Sequence, residues 1–117
     1  MTVKECYALI GADYDNVLSR LRTDERITKF LFKVAEDKSY ELLCESLKTQ
    51  NMPEAFRAAH TIKGVCMNLS LTKLYASAER LTEALRGRTE YGDDIPPLFE
   101  QLKSDYESTV NGIRMLQ

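Results

Sequence analysis

The sequence contains one histidine, His60, whose neighbours suit an exposed nucleophile. A neutral, accessible imidazole can carry a transferred group on a ring nitrogen at pH 7. Lys63 lies three residues later, within reach across one helical turn, and its charge disfavours the imidazolium form. The same ammonium group could neutralise a dianionic group attached to the ring. These two residue types therefore predict nucleophilic chemistry at His60.

Helical spacing over residues 55–69 predicts that His60 lies on the surface. On a wheel of about 100° per residue, the aliphatic side chains gather within about 60° of Ile62, whereas His60 and Gly64 each fall about 160° away. The predicted buried face consists of Ala55, Ala58, Ala59, Ile62, Val65, Cys66 and Leu69. A lone histidine is usually a core residue or an idle surface residue, and the wheel excludes the core.

Gly64 lies one turn beyond His60 on the same face, in the middle of the predicted helix. Glycine at such a position costs about 1 kcal/mol relative to alanine, so it suggests that something approaches the backbone closely. Phe56 and Met67, two large apolar residues on this outer side, predict a protein-docking patch. Each feature alone has an ordinary explanation, but together on one face they favour a functional site.

Apolar residues recur at helical spacing along the whole chain, while strand-like alternation is hard to find. Residues that cap or break helices mark the predicted boundaries: Gly11, Asp13, Thr23, the interruption at 37–39, Pro53, Ser70 or Thr72, Gly87 and Pro96–Pro97. Four amphipathic helices with short connections predict an all-α fold, an antiparallel up-down four-helix bundle with two short N-terminal helices across one end. One domain, 1–117, is expected from the length.

Composition excludes several function classes. With 16 basic and 18 acidic residues the net charge is −2, which argues against nucleic-acid binding. No apolar run approaches the roughly 18 residues that span a membrane, and no signal peptide is visible. A single histidine excludes a metal site with two histidine ligands. Three widely spaced cysteines, Cys6, Cys44 and Cys66, predict reduced thiols in a cytoplasmic protein, although an exposed Cys6 could crosslink chains.

The run from Ala58 to Leu69 resembles the signature of the histidine-containing phosphotransfer (HPt) domains of two-component phosphorelays. That signature reads loosely A-H-x-L-K-G-x-x-x-N-L-G, and the matching residues are Ala59, His60, Lys63, Gly64, Asn68 and Leu69. The resemblance extends from Phe56 to Arg86. Ser70 departs from the family's usual glycine, and Thr82 occupies a position where some members have a longer residue that steadies the imidazole. A threonine hydroxyl could still reach the ring.

The resemblance implies a function. His60 would accept a phosphoryl group on ring Nε2 from the aspartyl phosphate of a response-regulator receiver domain, then pass it on in signal transduction. The implied helpers are Lys63 for electrostatic support, Gly64 for close approach, and Phe56, Met67, Asn68 and Arg86 for docking the partner. The chain would need no cofactor or metal, since the receiver would supply Mg²⁺, and it would have no autonomous enzymatic activity.

Two alternatives stay open. The chain could be a helical protein-interaction module without phosphotransfer, although a degenerate module need keep neither His60 nor Lys63. A hydrolase with His60 as general base lacks a nucleophile and an orienting carboxylate on the same face. We expect a free-standing monomer that meets receiver domains and a hybrid histidine kinase. The sequence names neither the cognate partners nor the direction of transfer.

Overall fold

The computed structural model describes residues 1–116 and contains no strand within that range. Its seven helices are α1 (Val3–Ile10), α2 (Tyr14–Leu21), α3 (Asp24–Glu36), α4 (Ser39–Lys48), α5 (Met52–Leu69), α6 (Thr72–Leu85) and α7 (Ile95–Arg114). Gln117, the last residue of the predicted domain, lies outside the described residues.

The bundle has four helical segments. α3 followed by α4 forms the first segment, and α5, α6 and α7 form the other three. α4 packs against α5, α5 against α6, and α6 against α7, while α7 also contacts α3 and α1. The short helices α1 and α2 lie against α7 and α3, respectively. The all-α bundle with short N-terminal helices is thus confirmed, and its extents are 43 × 22 × 20 Å.

Side-chain caps start four of the helices. The Asp13, Thr23 and Asn51 side chains accept hydrogen bonds from backbone N–H groups three residues later, and Thr2 forms a reciprocal capping box with Glu5. These caps satisfy N–H groups that have no partner within the helix. The predicted starts at Asp13 and Thr23 are therefore confirmed.

The predicted interruption between the third and fourth helices is also confirmed. Asp37 takes an extended conformation with φ −66° and ψ 137°, and its carboxylate accepts a hydrogen bond from the N–H of Ser39 at 2.7 Å. The helix axis therefore restarts at Ser39 instead of continuing as one rod. This break lets α4 run alongside α5.

The prediction that Ser70 or Thr72 caps α6 is wrong. Leu71 occupies the N-cap of α6 without a side-chain hydrogen bond. Ser70 instead closes α5 in the left-handed conformation, with φ 56°, the conformation for which glycine is preferred at a helix end. Its hydroxyl donates to Asn16 and accepts from Arg20 at 2.7 Å. These contacts direct the hydroxyl toward α2, and Ser70 lies one residue before the N-cap of the following helix.

The core matches the wheel at most positions of α5. Ile62, Cys66 and the three alanines are buried, but Val65 is only half-buried, because it faces a groove beside α2 and α3. Cys6 is fully buried, with its Sγ 3.5 Å from the carbonyl oxygen of Gly112. It is therefore not available to crosslink two folded chains. All three cysteines are free.

Hydrogen bonds fix the N-terminal helices to the turn between α5 and α6. The Tyr7 hydroxyl donates to the carbonyl of Leu69 at 2.8 Å. The Asp13 N–H donates to the carbonyl of Ser70 at 2.9 Å, and the Lys73 N–H donates to the carbonyl of Gly11 at 3.0 Å. The C-terminal end of α5 is thus attached to α1 and to the start of α2.

None of the helices within residues 1–116 has the length and apolar character needed to cross a bilayer.

Candidate functional site

α5 presents His60 to solvent on the side opposite the core. Asn51 caps the helix, and Pro53 occupies its first turn, where a missing N–H costs no hydrogen bond. The small residues Ala55, Ala58 and Ala59 are buried beneath the histidine. The exposure predicted from helical spacing is confirmed, and the imidazole is open to a large partner.

An aromatic ring and a cation flank the histidine. The ring centroids of Phe56 and His60 are 5.7 Å apart, with an angle of 37° between the planes. The guanidinium carbon of Arg86 lies 5.1 Å from the centroid of Phe56, close enough for a cation–π interaction. α5 therefore supplies the two rings, and the C-terminal end of α6 supplies the charge.

Glu83 holds the Arg86 guanidinium with two hydrogen bonds. The Arg86 Nε and Nη2 atoms donate to the two carboxylate oxygens at 3.2 and 2.9 Å. These hydrogen bonds lower the pKa of Glu83 below its ordinary value, and the nearby positive charges of Arg86 and Lys63 lower it further. The same hydrogen bonds raise the pKa of Arg86.

The carboxylate of Glu83 therefore belongs to the environment of the histidine. Nothing in the sequence around His60 connects Glu83 with the histidine. The spacing of three residues between Glu83 and Arg86 was a signal for their pairing. Their position beside His60 depends on the packing of α6 against α5, which spacing within one helix does not reveal.

Lys63 and Gly64 both lie half-exposed on α5, next to the histidine. Within the described residues, no carboxylate lies within 4.0 Å of the Lys63 ammonium group. A Cβ atom added to Gly64 would meet no atom within 4 Å. Packing inside this chain therefore does not require glycine at position 64, and the ammonium group is available to an external anion.

Met67 and Asn68 lie about two turns farther along α5, where both are exposed. Asn68 borders a groove of about 430 Å³ between α5 and the helices α2 and α3. The apolar part of its lining consists of Leu21, Phe30, Val34, Val65 and Leu69. The predicted docking residues thus fall into two groups: Phe56 and Arg86 beside His60, and Met67 and Asn68 toward the C-terminal end of α5, where Asn68 borders the groove.

Thr82 does not steady the imidazole, a role that the sequence left open. It lies on the core side of α6, where it is fully buried. Its hydroxyl donates to the carbonyl of Ala78 at 2.6 Å, a common arrangement for threonine within a helix. The hydroxyl is therefore directed along its own helix and away from the exposed face.

Comparison with known proteins identifies the family. The Hpt domain model matches residues 29–112, which extend from α3 into α7 and include the whole of α5 and α6. Searches of curated proteins and of solved structures found no significant match. Since the family model covers well over half of the chain, the chain belongs to the Hpt domain family, whose members are phosphocarriers that take part in histidine phosphotransfer in phosphorelays.

Proposed function

We propose that His60 is the phosphoryl acceptor, taking the group from the aspartyl phosphate of a receiver domain and passing it to a second acceptor. One observation carries the proposal: the single histidine of this Hpt chain lies exposed on α5, within the residues that the family model matches. An acceptor must be reachable by the active site of another protein, and this side chain is.

The transfer needs little chemistry from this chain. The lone pair of Nε2 attacks phosphorus, the bond between phosphorus and the aspartyl oxygen breaks, and its electrons leave with the carboxylate. The ring keeps its proton on Nδ1 and becomes positively charged. Catalysis is mainly positioning and charge neutralisation, as in phosphoryl transfer generally. The receiver would supply Mg²⁺ for this step.

Lys63 and Gly64 support this step in different ways. The ammonium group of Lys63 has no carboxylate partner within residues 1–116, so it can pair with phosphoryl oxygens. The open space above Gly64 lets a partner approach the helix backbone. Phe56, Met67, Asn68 and Arg86 are the proposed contacts with the receiver domain. We expect the same surface to serve a hybrid histidine kinase.

A receiver domain charged with labelled phosphate tests the proposal. We expect label to appear on the wild-type protein in an acid-labile, base-stable form, and no label on the His60→Gln variant. Because His60 is exposed, the substitution should change the free energy of unfolding by less than about 0.5 kcal/mol. Thermal unfolding of both proteins provides the control for folding.

The outcomes separate the candidate functions. Label on both proteins would place the acceptor elsewhere. If neither a broad panel of receivers nor phosphoramidate labels the wild type, the chain is a helical interaction module without phosphotransfer. A large loss of stability in His60→Gln would contradict the exposed position of the side chain.

A further inference from the structure

The Arg86 guanidinium lies beside the proposed acceptor, but the structure shows it engaged elsewhere. Its Nε and Nη2 atoms donate hydrogen bonds to the two oxygens of Glu83, and its central carbon lies over the ring of Phe56. The same ring lies next to His60, at 5.7 Å between ring centroids. Glu83 and Phe56 together thus define a resting position for this cation, one aromatic ring away from the imidazole.

Phosphorylation would introduce a competitor for the guanidinium. A phosphoryl group carries close to two negative charges at pH 7 and presents three acceptor oxygens. Guanidinium groups bind phosphate and carboxylate with the same two-pronged geometry. The Glu83–Arg86 pair is exposed, with 53% of each side chain accessible. Solvent therefore weakens the ion pair, and Arg86 can leave Glu83 for another anion at a small cost in free energy.

We propose that Glu83 is a positioning residue, which holds Arg86 over Phe56 in the unphosphorylated protein and competes with phospho-His60 for the same guanidinium. This inference rests on the proposed function of His60. Its consequence is kinetic: Glu83 shortens the lifetime of the phosphohistidine by withholding a cation that would stabilise the phosphoryl oxygens. Glu83 acts only through Arg86.

Four variants test this coupling: Glu83→Gln, Arg86→Gln, the double variant and Glu79→Gln. Each protein is labelled with phosphoramidate, which needs no partner, and the half-life of the phosphohistidine is measured. We expect Glu83→Gln to lengthen the half-life by about two- to fivefold, the range expected for one exposed charge pair. Arg86→Gln should shorten the half-life, and the double variant should match Arg86→Gln alone.

Glu79→Gln is the matched control for net charge. Glu79 lies one turn earlier on α6, and its carboxylate makes none of the hydrogen bonds to Arg86. We expect it to leave the half-life unchanged. The NMR signal of the Arg86 Nε–Hε group gives a second readout: phosphorylation should shift it in the wild type, and Glu83→Gln should shift it without phosphorylation.

The results distinguish two kinds of failure. If the wild type takes no label from phosphoramidate or from any receiver, the proposed function fails and this inference with it. If the wild type is labelled but Glu83→Gln lengthens the half-life equally with or without Arg86, then Glu83 acts by direct repulsion and the inference alone is wrong. Equal half-lives in all four variants would also overturn it.

Discussion

At Gly64 the helix backbone is uncovered on the same face as His60. A Cβ atom there would meet nothing within 4 Å, and the residue lies in the interior of α5, where glycine lowers helix stability by about 1 kcal/mol relative to alanine. Because neither turn geometry nor internal packing explains glycine at this position, its use must lie outside the chain. We propose that this use is the close approach of a receiver domain to the backbone.

Gly64→Gln distinguishes the effect of glycine on helix stability from its effect on the approach of a partner. We expect the variant to be more stable by about 0.5 kcal/mol, since glutamine is a better helix former. Transfer from a receiver domain should slow by about tenfold or more, because the new side chain displaces the partner from its reactive distance. Labelling by phosphoramidate, a small donor, should be preserved. Receiver transfer at the wild-type rate would contradict the close approach.

At the scale of the helices, the turn between α5 and α6 depends on one serine with two opposing effects. The left-handed φ of Ser70 is unfavourable for any residue with a Cβ atom, whereas its hydroxyl joins Asn16 and Arg20 of α2. Arg20 also donates to the carbonyl of Asn68 at 2.7 Å, satisfying one of the free carbonyl groups at the end of α5. Ser70 therefore attaches the turn to α2 through its hydroxyl, while its backbone adopts an unfavourable conformation.

Two substitutions separate these effects. Ser70→Ala removes the hydroxyl and keeps the unfavourable backbone, so we expect it to lower the free energy of unfolding by about 1 kcal/mol. Ser70→Gly removes the hydroxyl and relieves the backbone, so it should be more stable than Ser70→Ala by about 1 kcal/mol. Urea unfolding of the three proteins gives both differences. A glycine variant no more stable than the alanine variant would show that the turn carries no strain.

Local signals predicted most helix boundaries, because caps such as Asp13 and Thr23 act on backbone groups within one turn. Spacing within α5 likewise predicted the exposure of His60. Two features could not be predicted in this way. Ser70 bonds to residues 50 and 54 positions earlier, and Glu83 reaches the site only because α6 packs against α5. Both depend on contacts between helices, which periodicity within one helix does not encode.

At the scale of the whole molecule, the packing of the bundle suppresses the ionisation of buried groups. Burial raises the pKa of the Cys66 thiol from its usual 9.0 to about 12. Burial also raises the pKa values of Cys6 and Tyr7. In the unfolded chain these groups ionise near their ordinary values, so alkaline solution favours the unfolded state.

This difference predicts an alkaline loss of stability. For Cys66 the contribution is complete below about pH 9, where both states hold the proton, and it is lost progressively as pH rises toward 12. We expect this thiol alone to lower the free energy of unfolding by about 1 kcal/mol between pH 8 and pH 10. Urea unfolding at both pH values measures it, and Cys66→Ala should show a smaller decrease. Equal decreases would contradict the buried, protonated thiol.

The attachment of α1 to the end of α5 also has a consequence for synthesis on the ribosome. The Tyr7 hydroxyl binds a carbonyl group 62 residues later in the chain. At about 5–20 residues per second, that partner is translated about 3–12 s after Tyr7 itself. Throughout this interval the apolar side of α1 has no docking surface at the α5–α6 turn. Native docking of α1 therefore waits until the α5–α6 turn has been translated.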